Sequence, residues 1–360
     1  MSSNHVIDII QKATNGAPLS VNDIIELLSL DDQDSIQLVM SAAQKVRNQR
    51  FGTKIFLYGF VYYSTYCRNN CTFCFYRKTN TISPRYRKSL QEVVDISCEL
   101  VNSGVHLIDL TSGEDPVWHE SDGFESLLEL VAQVKRHTGV PVMISPGVVP
   151  DEILRKFAEL DTDFYALYQE THNPVLYNTL RIQQSFEERK QKRVMARQLG
   201  MLVEDGLLLG VGETVQDRAE SMLAMKQADL QQVRVMSFVP QSQTPLASIP
   251  VPSRMIEYLG IAVLRLLMPD RLIPATLDVE GIHGLQKRLE AGANVVTSII
   301  PPKDHLAGVA QSSLDVEEGL RTVAEVEKIL ADIGLQAARA KEYASWVAGQ
   351  KKKTMAEDLR

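Results

Sequence analysis

Three of the four cysteines in this chain lie within eight positions of one another, in the segment TYCRNNCTFCFYRKTN. Cys67, Cys71 and Cys74 are separated by three and then by two residues. Cysteines crowded in this way indicate a metal or redox site more often than a disulfide framework. A structural zinc ion needs four protein ligands, so zinc would require a further ligand such as His119 or His172. A four-iron cluster held by three cysteines would leave one iron open to another ligand, and we favour this interpretation.

The composition excludes several classes of partner. A formal net charge of -7 argues against a nucleic-acid-binding surface, which is ordinarily basic. No apolar run reaches the roughly 18 residues that a membrane-spanning helix needs, and the first residues lack the apolar core of a signal peptide. We therefore expect a cytoplasmic protein with neither nucleic-acid nor membrane partners. Cys98 stands alone among apolar residues at helical spacing and is predicted to be a buried hydrophobic residue without a role in catalysis.

Short apolar runs alternate with longer segments of helical periodicity from about residue 53 onward, which predicts repeated strand–helix units. The predicted strands are residues 54–63, 105–111, 140–145, 162–170, 200–210, 232–240, 271–279 and 293–300. The clearest predicted helices are residues 90–103, 124–137, 186–199 and 252–267. Gly104 and Gly200 stand where two of these helices should end. Eight such units in roughly 250 residues predict an α/β fold of the (β/α)8 TIM-barrel type, with an open doubly wound sheet as the alternative.

The remaining segments are expected to surround this barrel. Residues 1–50 are predicted to form N-terminal helices packed on the barrel, and residues 51–310 form the barrel itself. Residues 311–350 are predicted to be C-terminal outer helices, and residues 351–360 a solvated polar tail.

The active site of a TIM barrel lies where its strands end, so the polar residues at the predicted strand ends are the candidates for chemistry. Those residues are Cys67, Cys71, Cys74, Asp109, Ser145, Glu170, Arg234, Thr276 and Asp278. So many charged groups converging on one face would be costly in a purely structural core. Their presence indicates a polar, ionic ligand.

The cysteine motif resembles that of the radical S-adenosylmethionine enzymes. The spacing Cys-x3-Cys-x2-Cys, the aromatic Phe73 before the last cysteine and the position after the first strand all match. The resemblance implies a [4Fe-4S] cluster whose open iron binds the amino and carboxylate groups of S-adenosyl-L-methionine. An electron from the cluster cleaves the sulfonium, and the resulting 5′-deoxyadenosyl radical removes a hydrogen atom from the substrate.

Other residues resemble the cofactor contacts of this superfamily. The triplet Ser112-Gly113-Glu114 is similar to its GGE element, in which backbone and carboxylate groups meet the methionyl ammonium. Glu170 and Arg189 are spaced as in the biotin-synthase and hydrogenase-maturase branch, where the former contacts ribose hydroxyls or the amino group. The arginine there pairs with the cofactor carboxylate, a role that suits a guanidinium. Ser145 would face the ribose. The plain alternatives are a charge at a helix start for Arg189 and strand-end capping for Ser145.

Residues from about 45 to 310 resemble the methylornithine synthase family of pyrrolysine biosynthesis, in segments such as LIDLTSGEDP, ALYQET and RLIPATLDVEGIHGL. This family isomerises L-lysine to (3R)-3-methyl-D-ornithine. The resemblance implies hydrogen abstraction from lysine, scission into a glycyl-type radical and an aminoalkene, and recombination at another carbon. It also implies an external low-potential electron donor such as flavodoxin or ferredoxin.

Lysine requires a cation for its carboxylate and anions for its two amines. The family's ligand contacts map onto Asp109, Arg234 and Asp278, and Thr276 supplies the hydroxyl expected at its position. We assign Arg234 with Asp278 to the α-carboxylate and α-ammonium groups, and Asp109 to an amine. The plain alternative is a buried structural ion pair between Arg234 and Asp278.

Three competing functions are open to a chain with these residues. A biotin synthase is disfavoured because it needs a second iron–sulfur site, for which only Cys98 remains. A hydrogenase-maturase-like enzyme acting on another small substrate shares the cofactor residues. A protein of a different class, a zinc-stabilised barrel that only binds a ligand, would use the cysteines structurally.

Overall fold

The computed structural model of the chain describes residues 3–301 and 320–357. Its central sheet contains eight parallel strands, each overlapping a predicted one. They are β1 Lys54–Ser64, β2 Leu107–Ser112, β3 Val142–Ser145, β4 Phe164–Ala166, β5 Leu202–Leu209, β6 Gln232–Ser237, β7 Pro274–Thr276 and β8 Val295–Ile299. A two-residue strand, β9 Gln336–Ala337, pairs in parallel with the first residues of β1.

The sheet closes on itself. Its strand order is β6-β5-β4-β3-β2-β1-β8-β7, so the first strand lies between the second and the eighth. The two ends of this path meet at a bridge between Gln232 and Leu272. There Val233 donates its N–H to the Leu272 carbonyl at 3.0 Å. The predicted (β/α)8 barrel is confirmed, and the open doubly wound sheet is excluded because such a sheet would have two unpaired edges.

Helices surround the strands as the sequence predicts. They are α1 Ser3–Thr14, α2 Val21–Leu28, α3 Gln33–Phe51, α4 Leu90–Ser103, α5 Glu125–Thr138, α6 Asp151–Glu159, α7 Pro174–Leu180, α8 Phe186–Gln198, α9 Val215–Gln227, α10 Arg254–Leu267, α11 Leu285–Glu290, α12 Val323–Asp332 and α13 Ala340–Glu357. Ser89 and Glu92 form a capping box at the start of α4, and Gly104 ends that helix in the left-handed conformation with φ 111°. Helices α2 and α3 pack against α9 and α10 on the outside of the barrel.

The interior of the barrel is filled by side chains that alternate along each strand. In β1, Phe56 and Tyr58 point inward, whereas Leu57 points to the helices. Tyr343 and Val347 of α13 are buried in the same interior cluster. The Tyr58 hydroxyl lies 2.6 Å from that of Tyr343, so α13 closes the floor of the barrel at the amino ends of the strands. The prediction of an outer helix here was wrong.

The prediction of a solvated tail from residue 351 was also wrong, because α13 continues to Glu357. Lys351 lies 2.7 Å from an Asp161 oxygen and 3.1 Å from an Asp163 oxygen. These two salt bridges hold the end of α13 against the barrel. The predicted boundary at residue 310 falls outside the described residues. Across residues 3–301 and 320–357, none of the helices has both the length and the apolar character needed to cross a bilayer.

Candidate active site

The loop after β1 carries the three cysteines and is held by hydrogen bonds to its own backbone. Thr65 donates its N–H to the Tyr86 carbonyl at 3.1 Å, which returns the loop to its starting point. The Arg85 guanidinium donates to the carbonyls of Thr65, Tyr76, Arg77 and Asn80. Backbone carbonyls in an irregular loop need such partners when they are shielded from water. Arg85 therefore orders the segment that presents the thiols.

Cys67, Cys71 and Cys74 line one cavity of about 200 Å³ at the carboxyl ends of the strands. All are free cysteines. Burial raises the pKa of Cys67 to about 11 and also raises the pKa of Cys74, and repulsion between neighbouring thiolates adds to both. The thiols of Cys67 and Cys74 are therefore protonated without a metal, and a metal that binds them as thiolates must displace those protons.

Within the described parts of the chain, no three His, Cys, Asp or Glu side chains are grouped so that they could hold one metal ion. Neither of the two histidines considered as further zinc ligands belongs to such a group. His172 Nε2 lies 3.2 Å from Asp205 Oδ2, and His119 packs edge-on against Phe124. The cysteines of a four-iron cluster bind separate iron atoms and need not converge on one point. The arrangement therefore fits a cluster and does not fit zinc.

Gly113 brings the end of β2 against the cysteine loop. Its N–H donates to the Ser64 carbonyl at 3.0 Å. A Cβ atom at this position would lie 2.3 Å from the Tyr66 carbonyl oxygen and 2.8 Å from Cys67 Cβ. Any side chain would therefore collide with the backbone of the loop, and glycine is required for this close approach.

Replacing Gly113 with alanine is expected to displace the loop at Tyr66 and to lower the iron bound per chain after reconstitution. Overpacking of this kind costs about 1–3 kcal/mol of unfolding free energy. Iron analysis and denaturant unfolding measure the two effects. Gly349→Ala is the matched control, because its Cβ would meet no atom within 4 Å. Wild-type iron content and stability in Gly113→Ala would contradict the prediction.

Glu114 is an ionised carboxylate beside the cysteines. It lies 3.1 Å from Arg68 Nε and 3.7 Å from Arg189 Nη1, and it accepts the N–H of Val148 at 3.0 Å. Burial alone would raise the pKa of Glu114, but Arg189 and the hydrogen bond from Val148 hold it below its ordinary value. The site thus offers a fixed anion and a buried cation side by side, which suits a ligand with an ammonium and a carboxylate.

Glu170 lines the same cavity and has a left-handed backbone conformation. β4 is three residues long, and Glu170 rejoins the sheet as a single bridge to Leu207 with φ 68°. Its carboxylate lies 2.6 Å from Arg181 Nη2. Burial raises the pKa of Glu170, while Arg181 opposes that rise. A left-handed glutamate is uncommon, and such strain often marks a ligand-binding position.

Arg189 and Ser145 complete the upper part of the site. Arg189 is 4% exposed on α8 and donates from Nε to the Tyr168 carbonyl at 2.7 Å. Ser145 donates to the Ala166 carbonyl at 3.4 Å, a weak bond that leaves its hydroxyl available. The cavity is lined by every residue predicted to contact the cofactor, namely Phe73, Ser112, Gly113, Glu114, Ser145, Glu170 and Arg189.

The predicted substrate residues lie deeper in the barrel. Arg234 on β6 is 5% exposed and pairs with Glu204 at 2.7 Å. It also lies over the ring of Tyr168, whose hydroxyl donates to Glu204 at 3.0 Å. A Cβ atom on Gly206 would lie 2.7 Å from Arg234 Cγ, so this glycine on β5 leaves room for the arginine. Tyr168 lines the cavity and thus connects it to this deeper layer.

Asp278 has partners of its own. Its carboxylate accepts hydrogen bonds from Ser298 at 2.6 Å, Thr276 at 3.1 Å and Arg321 at 3.1 Å. Arg234 and Asp278 are therefore not paired with each other, and the structural pair considered as the plain alternative is absent from the described residues. Each is instead held by a different partner within the barrel.

Asp109 lies within β2, deeper than the strand end where the sequence placed it. Thr111 donates to its carboxylate at 2.9 Å. Burial raises the pKa of Asp109 to about 7, and repulsion by Glu204 adds to the rise. Among the described residues Arg234 attracts this carboxyl group without forming a salt bridge to it, so a ligand can supply a closer cation.

Four residues that contact the candidate site were not predicted. They are Arg181, Gln184, Glu204 and Arg321. Glu204 had a visible signal, since an acidic pair in the otherwise apolar strand VEDGLLLG is costly unless it has partners. Arg181 and Gln184 lie in a loop whose sequence contains no motif.

The comparisons with known proteins agree with this geometry. The model of the radical SAM superfamily matches residues 61–225. The chain is 44% identical over 332 residues to the 3-methylornithine synthase of Methanosarcina barkeri, covering 92% of this chain and 94% of that protein. It is 32% identical over 274 residues to the [FeFe] hydrogenase maturase subunit HydE of Thermotoga maritima, covering 75% and 77%.

Solved structures give the same result. The crystal structure of methylornithine synthase (PylB) superimposes with a TM-score of 0.89 at 43% identity, covering 94% of this chain and 99% of that one. The likeness therefore includes the barrel and the helices around it. The chain belongs to the 3-methylornithine synthase family of the radical SAM superfamily.

Proposed function

We propose that the protein is a radical S-adenosylmethionine isomerase that converts L-lysine to (3R)-3-methyl-D-ornithine, the first step of pyrrolysine biosynthesis. The observation that supports this most directly is the buried set of Arg234, Asp109 and Asp278 beneath the cysteine-lined cavity. One cation and two carboxyl groups match the carboxylate and two amines of lysine.

In this proposal Cys67, Cys71 and Cys74 hold a [4Fe-4S] cluster, and Glu114 and Arg189 bind the ammonium and carboxylate of S-adenosyl-L-methionine. When bound, these groups supply hydrogen-atom abstraction from the substrate. The donor set fits, because three thiols and an ionised Glu114 line a single cavity.

Arg234 holds the α-carboxylate of lysine, Asp278 the α-ammonium, and Asp109 an amine. Glu204 contacts Arg234 at Nε, so the Nη edge of the guanidinium remains able to bind a carboxylate in the two-pronged manner that arginine favours. The Thr276 hydroxyl orients the Asp278 carboxylate. These contacts fix both ends of a flexible substrate in one conformation.

The depth of these residues also suits the reaction. Asp109, Arg234 and Asp278 are 7%, 5% and 4% exposed, so water has little access to these side chains. A reaction that breaks and rejoins a carbon skeleton needs such shielding, because both fragments must be retained and protected from quenching.

The electron must come from outside the chain. Only Cys98 remains after the cluster ligands are assigned, which is insufficient for a second cluster. We propose an external low-potential donor such as flavodoxin or ferredoxin.

The deciding experiment incubates anaerobically reconstituted protein with S-adenosyl-L-methionine, a chemical reductant and uniformly 13C-labelled lysine. Mass spectrometry should show a labelled amino acid of unchanged mass with a different retention time and fragmentation pattern. Unchanged lysine under conditions that form 5′-deoxyadenosine would exclude the lysine mutase. That outcome would favour a maturase-like enzyme acting on another small substrate, as the similarity to HydE allows.

Lysine binding is expected to release a proton from Asp109. Because its pKa is about 7, this carboxyl is neutral below that value, and an ammonium binds the ionised form. Affinity should therefore rise about tenfold per pH unit up to about pH 7 and then level off. Without lysine, the free energy of unfolding depends on pH in the opposite direction. The stabilising contribution of the protonated Asp109 carboxyl is at its maximum below about pH 4 and is lost as the pH rises through 7.

Titration calorimetry in buffers of different ionisation heat measures this proton release. Asp109→Asn should bind lysine more weakly and release no proton. Asp151→Asn, a change at an exposed residue paired with Lys192, is the matched control. Proton release that persists undiminished in Asp109→Asn would assign the linkage to another group.

A further inference from the structure

Cys67 and Cys71, two of the three candidate cluster ligands, differ in the hydrogen bonds that their sulfurs accept. Cys67 Sγ accepts the backbone N–H of Asn69 at 3.5 Å. Cys71 Sγ accepts hydrogen bonds from two side chains, Gln184 Nε2 at 3.0 Å and Arg181 Nη1 at 3.7 Å. The sulfur of Cys71 therefore receives a neutral donor and a cationic donor.

The orientation of the Gln184 amide is set by two arginines. Its Oε1 atom accepts from Arg181 Nη1 at 3.3 Å and from Arg189 Nη1 at 3.5 Å. A reversed amide would direct its NH2 group at two guanidinium groups and its oxygen at the sulfur. The arrangement thus keeps Nε2 directed at Cys71.

Arg181 is fixed just as firmly. It is 8% exposed, its Nη2 lies 2.6 Å from Glu170 Oε1, and its guanidinium lies over the ring of Phe73. The cysteine loop is joined to the segment that carries Arg181 by a hydrogen bond from Thr72 N–H to the Leu180 carbonyl at 2.8 Å. Movement of the cation away from the sulfur would therefore break an ion pair and a ring contact.

We propose that Arg181 and Gln184 raise the reduction potential of the cluster through Cys71 and so make it easier to reduce. This inference rests on the cluster assigned in the proposed function. Reduction adds one electron from the external low-potential donor and breaks no bond, so the reduced cluster carries one more negative charge. Hydrogen bonds to a ligating sulfur and a nearby cation stabilise that extra charge. Both are positioning residues, since they act through Cys71.

The test is a redox titration followed by electron paramagnetic resonance, on reconstituted protein without lysine or S-adenosyl-L-methionine. At the wild-type midpoint, Arg181→Met should lower the ratio of reduced to oxidised cluster about tenfold, which is 59 mV for one electron. Gln184→Leu should shift it in the same direction by less. Arg181→Lys, which keeps the charge, should recover part of the loss. Lys78→Met is the control, because Lys78 is an exposed cation of the loop that carries the cysteines.

Midpoints of Arg181→Met and Gln184→Leu that equal that of Lys78→Met would overturn the proposal. If Arg181→Met fails to bind iron, Gln184→Leu decides alone, since it leaves every charge in place. Because the titration contains no lysine, the midpoints of the variants can prove unchanged even if the protein isomerises lysine. Conversely, a midpoint shift in a protein that leaves lysine unchanged would support the tuning role and reject only the proposed substrate.

Discussion

Replacing Cys74 with alanine is expected to remove the bound iron and to abolish the conversion of lysine. Three thiolates are the minimum donor set for the cluster, and the cavity contains no fourth cysteine to replace the lost one. Protein reconstituted anaerobically should be brown for wild type, with about four irons per chain, and colourless for the variant. Mass spectrometry should detect neither 5′-deoxyadenosine nor a lysine isomer.

Cys98→Ala is the matched control for this change. Cys98 lies on α4 and packs against the outer core rather than at the cavity. The variant should retain its iron and its turnover of lysine. A folded Cys98→Ala protein without activity would show that a thiol outside the cluster takes part in the reaction.

Replacing Arg234 with alanine is expected to lower lysine turnover about a hundredfold, which corresponds to roughly 3 kcal/mol. Burial alone would lower the pKa of Arg234, but the attraction of Glu204 raises it above its ordinary value, so the side chain is a permanent cation. Its loss removes the proposed partner of the substrate carboxylate. It also leaves Glu204 as an unpaired buried charge, which costs about 3–5 kcal/mol of stability.

The double variant Arg234→Ala with Glu204→Gln separates these two effects. Glutamine removes the unpaired charge, so the unfolding free energy should recover most of the loss, as measured by denaturant titration. Lysine turnover should stay low, because the carboxylate still lacks its cation. Recovery of turnover together with stability would assign Arg234 a structural role only.

The fold could be predicted because its signals are local. Apolar runs alternate with helical segments, and a glycine such as Gly104 marks a helix end through its own conformation. The cysteine motif is also local, since three residues within eight positions must share a loop. Residues on the ends of different strands converge because a parallel barrel brings all its carboxyl ends together.

Ion pairs between side chains on different elements of the barrel could not be predicted from such local signals. Arg234 is in register with Gly206 on the neighbouring strand, so its partner Glu204 lies diagonally opposite. Arg321 reaches Asp278 from a segment 43 residues away in sequence. Such pairs depend on strand register and on the path of the chain, which composition and periodicity do not specify.

The basic run at residue 351 was mispredicted because its composition suggested a solvated tail. Its composition is typical of a solvated end, yet Lys351 binds Asp161 and Asp163 beside β4. The sequence near position 351 contains no sign of those two carboxylates. Helical propensity alone would have been a better guide, because lysine and glutamate are good helix formers.

The buried contact between Tyr58 and Tyr343 constrains the order in which the molecule can mature. The eight strands of the barrel all precede α13 in the chain, so they are synthesised before the helix that closes their amino-terminal opening. Until Tyr343 arrives, the hydroxyl of Tyr58 and the amide of Gln232, 2.9 Å apart, face an open well that water can enter. The barrel can therefore be closed at this end only after all eight strands have been synthesised, and Tyr58 lacks its contact with Tyr343 until then.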